Sequence, residues 1–342
     1  MKVLVTGHRG YIGTVMTPML QNAGHDVVGL DIDLYEKCTF GEEMASNVPH
    51  MRKDIRDVVP SDLEGFDAVV HLAALSNDPL GNLNPELTYD INWRGTIHLA
   101  KAAKEAGVER FLFSSSCSNY GAAGDDMLDE AAALNPVTPY GISKVKAEAD
   151  LRELADDSFS PTFMRSATAY GVSPRLRFDI VLNNLTAWAF TTGKIQMKSD
   201  GTPWRPIVHI EDISRAFLAA LAAPRELVHN QAFNIGRPEE NYRIREIAEI
   251  VKDTVPGCQI DYAEDAGPDK RCYRVDSSKI QNTLAAFQPQ WTAKKGAAQL
   301  YDAYKNTGVT LEEFEGPKYK RIDHLKMLLS SGRIDQDLRW CN

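Results

Sequence analysis

Tyr140 and Lys144 stand four residues apart in the run Tyr140-Gly141-Ile142-Ser143-Lys144, where a helical pattern begins. Residues i and i+4 share one face of a helix, so a phenol and an ammonium point into the same space. A phenol titrates near pH ~10, and a general base at neutral pH needs that value lowered by roughly three units, about 4 kcal/mol. A nearby cation in a partly dry site is the kind of group that supplies such a shift. A third polar group lies upstream in Ser114-Ser115-Ser116-Cys117-Ser118-Asn119-Tyr120-Gly121, directly after the apolar run Arg110–Phe113. A serine hydroxyl there can hold the oxygen from which a phenolate takes a proton. Taken singly the features are ordinary: a Tyr–Lys pair serves as a surface helix pair, and a serine-rich run as a polar turn.

The second constellation is Gly7-His8-Arg9-Gly10-Tyr11-Ile12-Gly13, which follows an apolar strand pattern and opens a helical one. Gly7 permits a tight turn, Gly10 lets a pyrophosphate lie against backbone N–H groups, and Gly13 lets helix and strand approach closely. Asp31 closes the next strand pattern, at the distance expected of a carboxylate that accepts from an adenosine ribose hydroxyl. A carboxylate there repels a 2′-phosphate, so NAD is favoured over NADP, while Arg9 argues in the other direction. The alternative for Asp31 is a solvated turn residue.

These groups need elements to position them. Lys2–Thr6, Asp26–Leu30, Asp67–Leu72, Glu109–Ser114 and Thr162–Arg165 read as strands, and Tyr11–Ala23, Leu83–Ala106 and Gly141–Leu154 carry apolar residues at helical spacing. Such alternation implies an α/β fold with a doubly wound parallel (Rossmann) sheet, covered by helices on both faces. After about residue 170 the rhythm loosens. Ser173–Pro206 is rich in Asn, Thr, Gly and Pro, helical patterning returns at Arg243–Val255, and His209–Ala223 is suited to packing on the main sheet. The expected division is a dinucleotide-binding domain over 1–172 with return segments near 205–236. A smaller substrate-binding lobe at 173–204 and 237–342 completes it, the last part (Glu312–Asn342) being a docked helical tail.

Composition bounds the partners. The chain has 342 residues, 43% hydrophobic and 25% charged, the profile of a soluble globular protein. Its net charge of −9 argues against nucleic acid, which selects a basic surplus. No apolar run reaches the ~18 residues of a membrane span, and Met1–Gly10 carries no signal-peptide pattern. Cys38, Cys117, Cys258, Cys272 and Cys341 are scattered, with neither a disulfide framework nor metal-ligand spacing, so no metal is expected and the chain reads as cytoplasmic and reduced.

In combination, TGHRGYIG, HLAA, FSSSCSNYG, YGISK and RPIVHIEDI make the chain, from residue 1 to about 280, resemble the extended short-chain dehydrogenases/reductases, and among them the nucleotide-sugar epimerases and dehydratases. The resemblance implies Ser116, Tyr140 and Lys144 as the catalytic triad, with Tyr140 and Lys144 also contacting NAD. It places Gly7, Arg9, Gly10, Tyr11, Ile12, Gly13, Asp31 and Ile32 on the cofactor, Asp54 and Ile55 beside the adenine, and Leu72, Ala73 and Ala74 under the pyrophosphate and ribose. Ser114, Ser115 and Ala167 complete that set. It further implies a nucleotide-diphosphate sugar as substrate and a homodimer. Arg205 and Arg271 fall on the phosphates, where a bidentate guanidinium suits a diphosphate. The resemblance also puts Ser76, Cys117, Ser118, Thr168 and Asn183 on the sugar side, Thr168 replacing an asparagine common in the family.

The resemblance leaves several outcomes for a ring hydroxyl, at C4, that Tyr140 deprotonates. Return of hydride to the opposite face of the ketone gives epimerisation; loss of water across C5 and C6 gives a dehydratase and needs a further acid and base. The 4,6-dehydratases carry Asp-Glu directly after the triad Ser/Thr, where this chain has Cys117 and Ser118, so the epimerase is favoured. Cys117 reads either as a buried filler or as an acid/base of less usual chemistry. A 4-keto reductase consuming NADPH keeps the triad but is opposed by Asp31. A non-catalytic dinucleotide sensor has no need of Ser116, Tyr140 and Lys144 together.

Overall fold

The computed structural model describes residues 1–41, 48–76, 84–267 and 272–341. Its strands, in chain order, are β1 (Lys2–Thr6), β2 (Asp26–Asp31), β3 (His50–Arg52), β4 (Ala68–His71), β5 (Arg110–Ser116), β6 (Ala122–Leu128) and β7 (Ser160–Ser166). They continue as β8 (Thr168–Tyr170), β9 (Lys194–Ser199), β10 (Trp204–His209), β11 (Ala232–Ile235), β12 (Asn241–Arg243), β13 (Gln259–Gly267) and β14 (Cys272–Val275). Seven of them form one sheet in the order β11-β7-β5-β4-β1-β2-β3, and every pairing in it is parallel. The chain builds outward from β1 through β2 and β3, then crosses back to start β4 on the other side. That reversal opens a crevice at the carboxyl ends of β1 and β4, the place where open α/β sheets take ligands.

Burial on both faces follows from the period of two. Val3 and Val5 of β1 belong to one apolar cluster and Leu4 to another; in β5, Leu112 joins the first while Phe111 and Phe113 join the second. Helices Gly13–Asn22 and Ile210–Ala222 cover the first face, and Gly95–Glu105 and Pro139–Leu154 the second. The expected doubly wound α/β fold is therefore present. Between Pro85 and Glu105 the expected long helix is a short helix, a π-helical stretch (Asp90–Arg94) and a second helix.

Beyond β7 the chain is more regular than its composition suggests. The Asn- and Thr-rich stretch contains a helix, Val181–Thr192, which packs on Ile244–Thr254 and Ala293–Thr307 around a core that includes Leu182, Leu185, Ile247, Leu300 and Tyr304. Its Asn and Thr residues are absorbed by local bonds: Thr186, Thr191 and Thr192 hydroxyls each donate to the carbonyl four residues back. The tail contains the expected helix, Arg321–Ser330, and docks back on the first part of the chain: Leu325, Leu328, Ile334 and Leu338 pack with Leu34, Leu75 and Leu87. Among the described residues no helix is long and apolar enough to cross a membrane.

Candidate active site

The glycine loop sits at the crevice, and its glycines are demanded by close approach. Gly7 has φ +70°, and a Cβ on it would lie 2.7 Å from Ala73 N; a Cβ on Gly13 would lie 2.3 Å from Gly7 O. The turn after β1 is thus pressed against the Leu72-Ala73-Ala74 segment after β4, and the first helix against the turn. Asp31 ends β2 beside them. Its carboxylate accepts from the Arg9 N–H at 3.1 Å and the Asp33 N–H at 2.9 Å. Burial pushes the Asp31 carboxyl above its usual range, an effect these two hydrogen bonds counter.

The crevice widens into a cleft of about 1100 Å³. It is lined by Ser116, Tyr140 and Lys144, and by every expected cofactor or substrate residue except Arg9, Cys117, Asn183 and Arg271. Arg271 lies outside the described residues.

Local structure explains how the three catalytic candidates meet. Thr138 caps the helix Pro139–Leu154, its hydroxyl accepting from Gly141 N at 3.2 Å, and Pro139 fills the first helical position, where a missing N–H costs nothing. Tyr140 therefore enters the first turn with Lys144 one turn on. Lys144 Nζ lies 5.8 Å from the Tyr140 ring centroid and 4.6 Å from that of Phe113, and donates to Ser114 O at 2.7 Å. Burial lowers the Lys144 ammonium to about 7, with Glu148 one turn further along pulling the other way. Ser116 ends β5, and its Oγ accepts from both Ser118 N (3.1 Å) and Ser118 Oγ (2.9 Å).

Behind the triad lies a polar network the sequence did not disclose. Glu148 is buried with Arg165, whose Nη2 reaches Oε2 at 2.6 Å and whose Nε reaches Oε1 at 3.0 Å. Glu148 also accepts from Ser115 Oγ (2.5 Å) and Asn119 Nδ2 (3.0 Å), so each carboxylate oxygen is occupied, as a buried charge requires. This network fixes the end of β5 against the helix carrying Tyr140 and Lys144. The Glu148 spacing from Lys144, i to i+4, was the available signal.

Three expected residues are turned away from the cleft lining. The Arg9 guanidinium is drawn to Asp33 at 3.0 Å and its side chain does not line the cleft. Cys117, fully buried, turns into the core beside Tyr120, Tyr273 and Val275, and Sγ donates to Arg165 O at 3.2 Å. Burial raises its thiol far above the ordinary value, and the side chain fills the core instead of lining the cleft. Asn183 is also fully buried: it donates to Tyr11 OH and Arg177 O and accepts from Gly171 N. The cleft is reached by its neighbour Asn184, because one residue is 100° around a helix. The sequence reading also missed Arg177, which lines the cleft, grips Asp179 with Nε and Nη2 (2.9 and 2.8 Å) and donates from Nη1 to Ser76 Oγ at 3.2 Å.

Residues 3–236 match the family model described as the NAD dependent epimerase/dehydratase family. The UDP-glucose 4-epimerase of Lactobacillus helveticus is 31% identical over 83% of this chain and 91% of its own length. The dTDP-D-glucose 4,6-dehydratase of Mus musculus is 26% identical over 92% of this chain and 93% of its own. Among solved structures, MoeE5 in complex with UDP-glucuronic acid and NAD is 26% identical with a TM-score of 0.78, covering 90% of this chain and 100% of that one. The UDP-glucuronic acid 4-epimerase of Bacillus cereus, also holding NAD and UDP-glucuronic acid, is 25% identical with a TM-score of 0.76 over 90% of this chain and 99% of that one. With a glycine cradle that leaves no room for a Cβ and a carboxylate ending β2, the residues present fit the dinucleotide. The chain belongs to the NAD dependent epimerase/dehydratase family, and its cofactor is NAD.

Proposed function

We propose that this protein is a nucleotide-sugar epimerase that inverts a ring carbon, C4, by transient oxidation of its hydroxyl to a ketone, with Tyr140 as the base. Bound NAD supplies a hydride acceptor that later gives the hydride back. Tyr140 takes the hydroxyl proton and returns it, Ser116 holds the oxygen, and Lys144 lowers the phenol toward neutrality by its charge. Arg205, buried in the cleft wall with its guanidinium 5.6 Å from the Tyr273 ring centroid, faces the diphosphate. Residues 1–172 and 205–236 carry the cofactor in this reading, and the lobe formed from 173–204 and 237 onward carries the sugar nucleotide.

The observation behind the choice of epimerase is the pair of residues after Ser116. Cys117 is turned into the core, and Ser118 spends its hydroxyl on Ser116. The carboxylates that line the cleft elsewhere are committed: Asp54 to Arg56, Asp179 to Arg177, Glu315 to Lys320, and Asp31 to two backbone N–H groups. Among the described cleft residues no uncommitted carboxylate stands ready as base for the C5 proton or acid for a leaving C6 hydroxyl, whereas C4 inversion needs only Tyr140.

Incubation with UDP- and dTDP-sugars in deuterated water tests the proposal. The expected product has the mass of its substrate and no new carbon-bound deuterium. Loss of water with deuterium at C5, a net fall of about seventeen mass units, identifies a dehydratase; deuterium without loss of water identifies inversion at C3 or C5. Net consumption of NADPH on a 4-keto sugar identifies a reductase. Cys117→Ala should turn over within about tenfold of wild type. The same reading carries a cytoplasmic homodimer, for which light scattering of the purified protein should give twice 38.0 kDa.

A further inference from the structure

The segment after residue 311 does more than cap the fold: Phe314, Tyr319, Arg321 and Leu338 all line the cleft. Its far end is fastened to the surroundings of Asp31. Trp340 Nε1 donates to Ile32 O at 2.5 Å, Arg56 Nη2 donates to Asp337 O at 2.9 Å while also holding Asp54, and Arg339 pairs with Asp57. In this fold the carboxylate that ends the second strand takes the adenosine ribose, so these attachments gather at the adenosine end of the cofactor site.

Leu338 is the residue they present. It has φ +57°, a left-handed conformation that penalises a branched side chain and that glycine adopts freely. The turn is fixed by Leu338 N to Asp335 O (3.0 Å), Asp335 N to Arg339 O (2.9 Å) and Arg339 N to Asp335 Oδ1 (2.8 Å). The side chain it projects is 5% exposed, clustered with Leu34 and Leu75 in the cleft wall. Strain held in place by surrounding contacts is a pointer to use. We infer that the segment 311–341 is part of the cofactor site: Leu338 covers the adenosine half of NAD, and Trp340 anchors it there.

Leu338→Gly is the direct test, because glycine suits the turn and the covering side chain is removed without straining the backbone. The apoprotein should keep its circular dichroism, with a lowered Tm because the side chain also packs with Leu34 and Leu75. By fluorescence titration its Kd for NAD should rise ~10-fold, the loss expected for part of a leucine side chain's burial. The Kd for ADP-ribose should rise by the same factor, and that for nicotinamide mononucleotide should not move. Trp340→Ala should reproduce the pattern, and the double variant should show much less than the summed effect, since both act through one contact. NAD affinity within twofold of wild type in Leu338→Gly would overturn the inference. So would weakening of NAD with ADP-ribose unchanged, which would remove Leu338 from the adenosine.

Discussion

Lys144 Nζ donates to the carbonyl oxygen of Ser114, two residues before the Ser116 that ends the same strand, at 2.7 Å. This bond ties the helix bearing Tyr140 to the strand bearing Ser116. It also holds the Lys144 amine at the back of the cleft, where burial has lowered its pKa to about 7.

Replacing Lys144 with Met should therefore separate stability from activity. In the unfolded chain the ammonium titrates near 10.5, so between about pH 7 and 10.5 the unfolded state holds the proton that the folded state has lost. Wild-type stability should rise with pH across that window, the burial penalty being fullest at and below pH 7. Lys144→Met should flatten the rise and stabilise the apoprotein at pH 7 by roughly 1–3 kcal/mol, the unmet Ser114 carbonyl offsetting part of the gain. Urea unfolding at pH 7 and pH 9 measures this, and turnover should be lost in the same variant.

Tyr140→Phe removes only the ionisable oxygen. Turnover should fall by ~10²–10⁴-fold, the usual span for a general base, with NAD and substrate affinities within about threefold of wild type. Single-turnover kinetics alongside equilibrium titration distinguish this from a binding defect. Activity within tenfold of wild type would remove Tyr140 from the base's role.

Asp31→Ala deletes the carboxylate held by the Arg9 and Asp33 amides. The Kd for NAD should rise ~10–100-fold, the range for a hydrogen bond to a charged acceptor. NADP should bind no worse than before, so the preference narrows or inverts. Parallel titrations of both dinucleotides check it. An unchanged ratio would mean that another group reads the ribose.

His8, in the glycine loop, is buried against Gly29, with burial and the neighbouring His50 lowering its pKa to about 4. His71, fully buried between Thr6 and Thr96, is lowered to about 3, again chiefly by burial. In both the neutral ring is the folded form. As pH falls below 6.5 the unfolded state gains protons that the folded state refuses, and stability drops until about pH 4. The apoprotein should lose about 3 kcal/mol per histidine over that window, measurable as a falling urea midpoint. His8→Phe should remove part of the slope.

What the sequence determined by itself is whatever depends on neighbours along the chain. The strand–glycine–helix order, the acidic residue ending β2 and the Tyr140–Lys144 spacing are local facts, and periodicity carries them into elements without knowledge of the fold. The sequence also left Cys117 open between filler and functional group. That choice is a matter of which way the turn after β5 faces, and it was settled by core packing against Tyr120 and Tyr273. The same kind of decision moved the cleft contact from Asn183 to Asn184, since a helix face is chosen by what the helix packs on. The Glu148–Arg165 pair needed two elements 17 residues apart to come together. The closing segment needed more: Trp340 finds Ile32 across a separation of 308 residues. A contact of that range leaves no periodic trace in either partner, so only the tertiary structure could place Leu338 in the wall of the cofactor cleft.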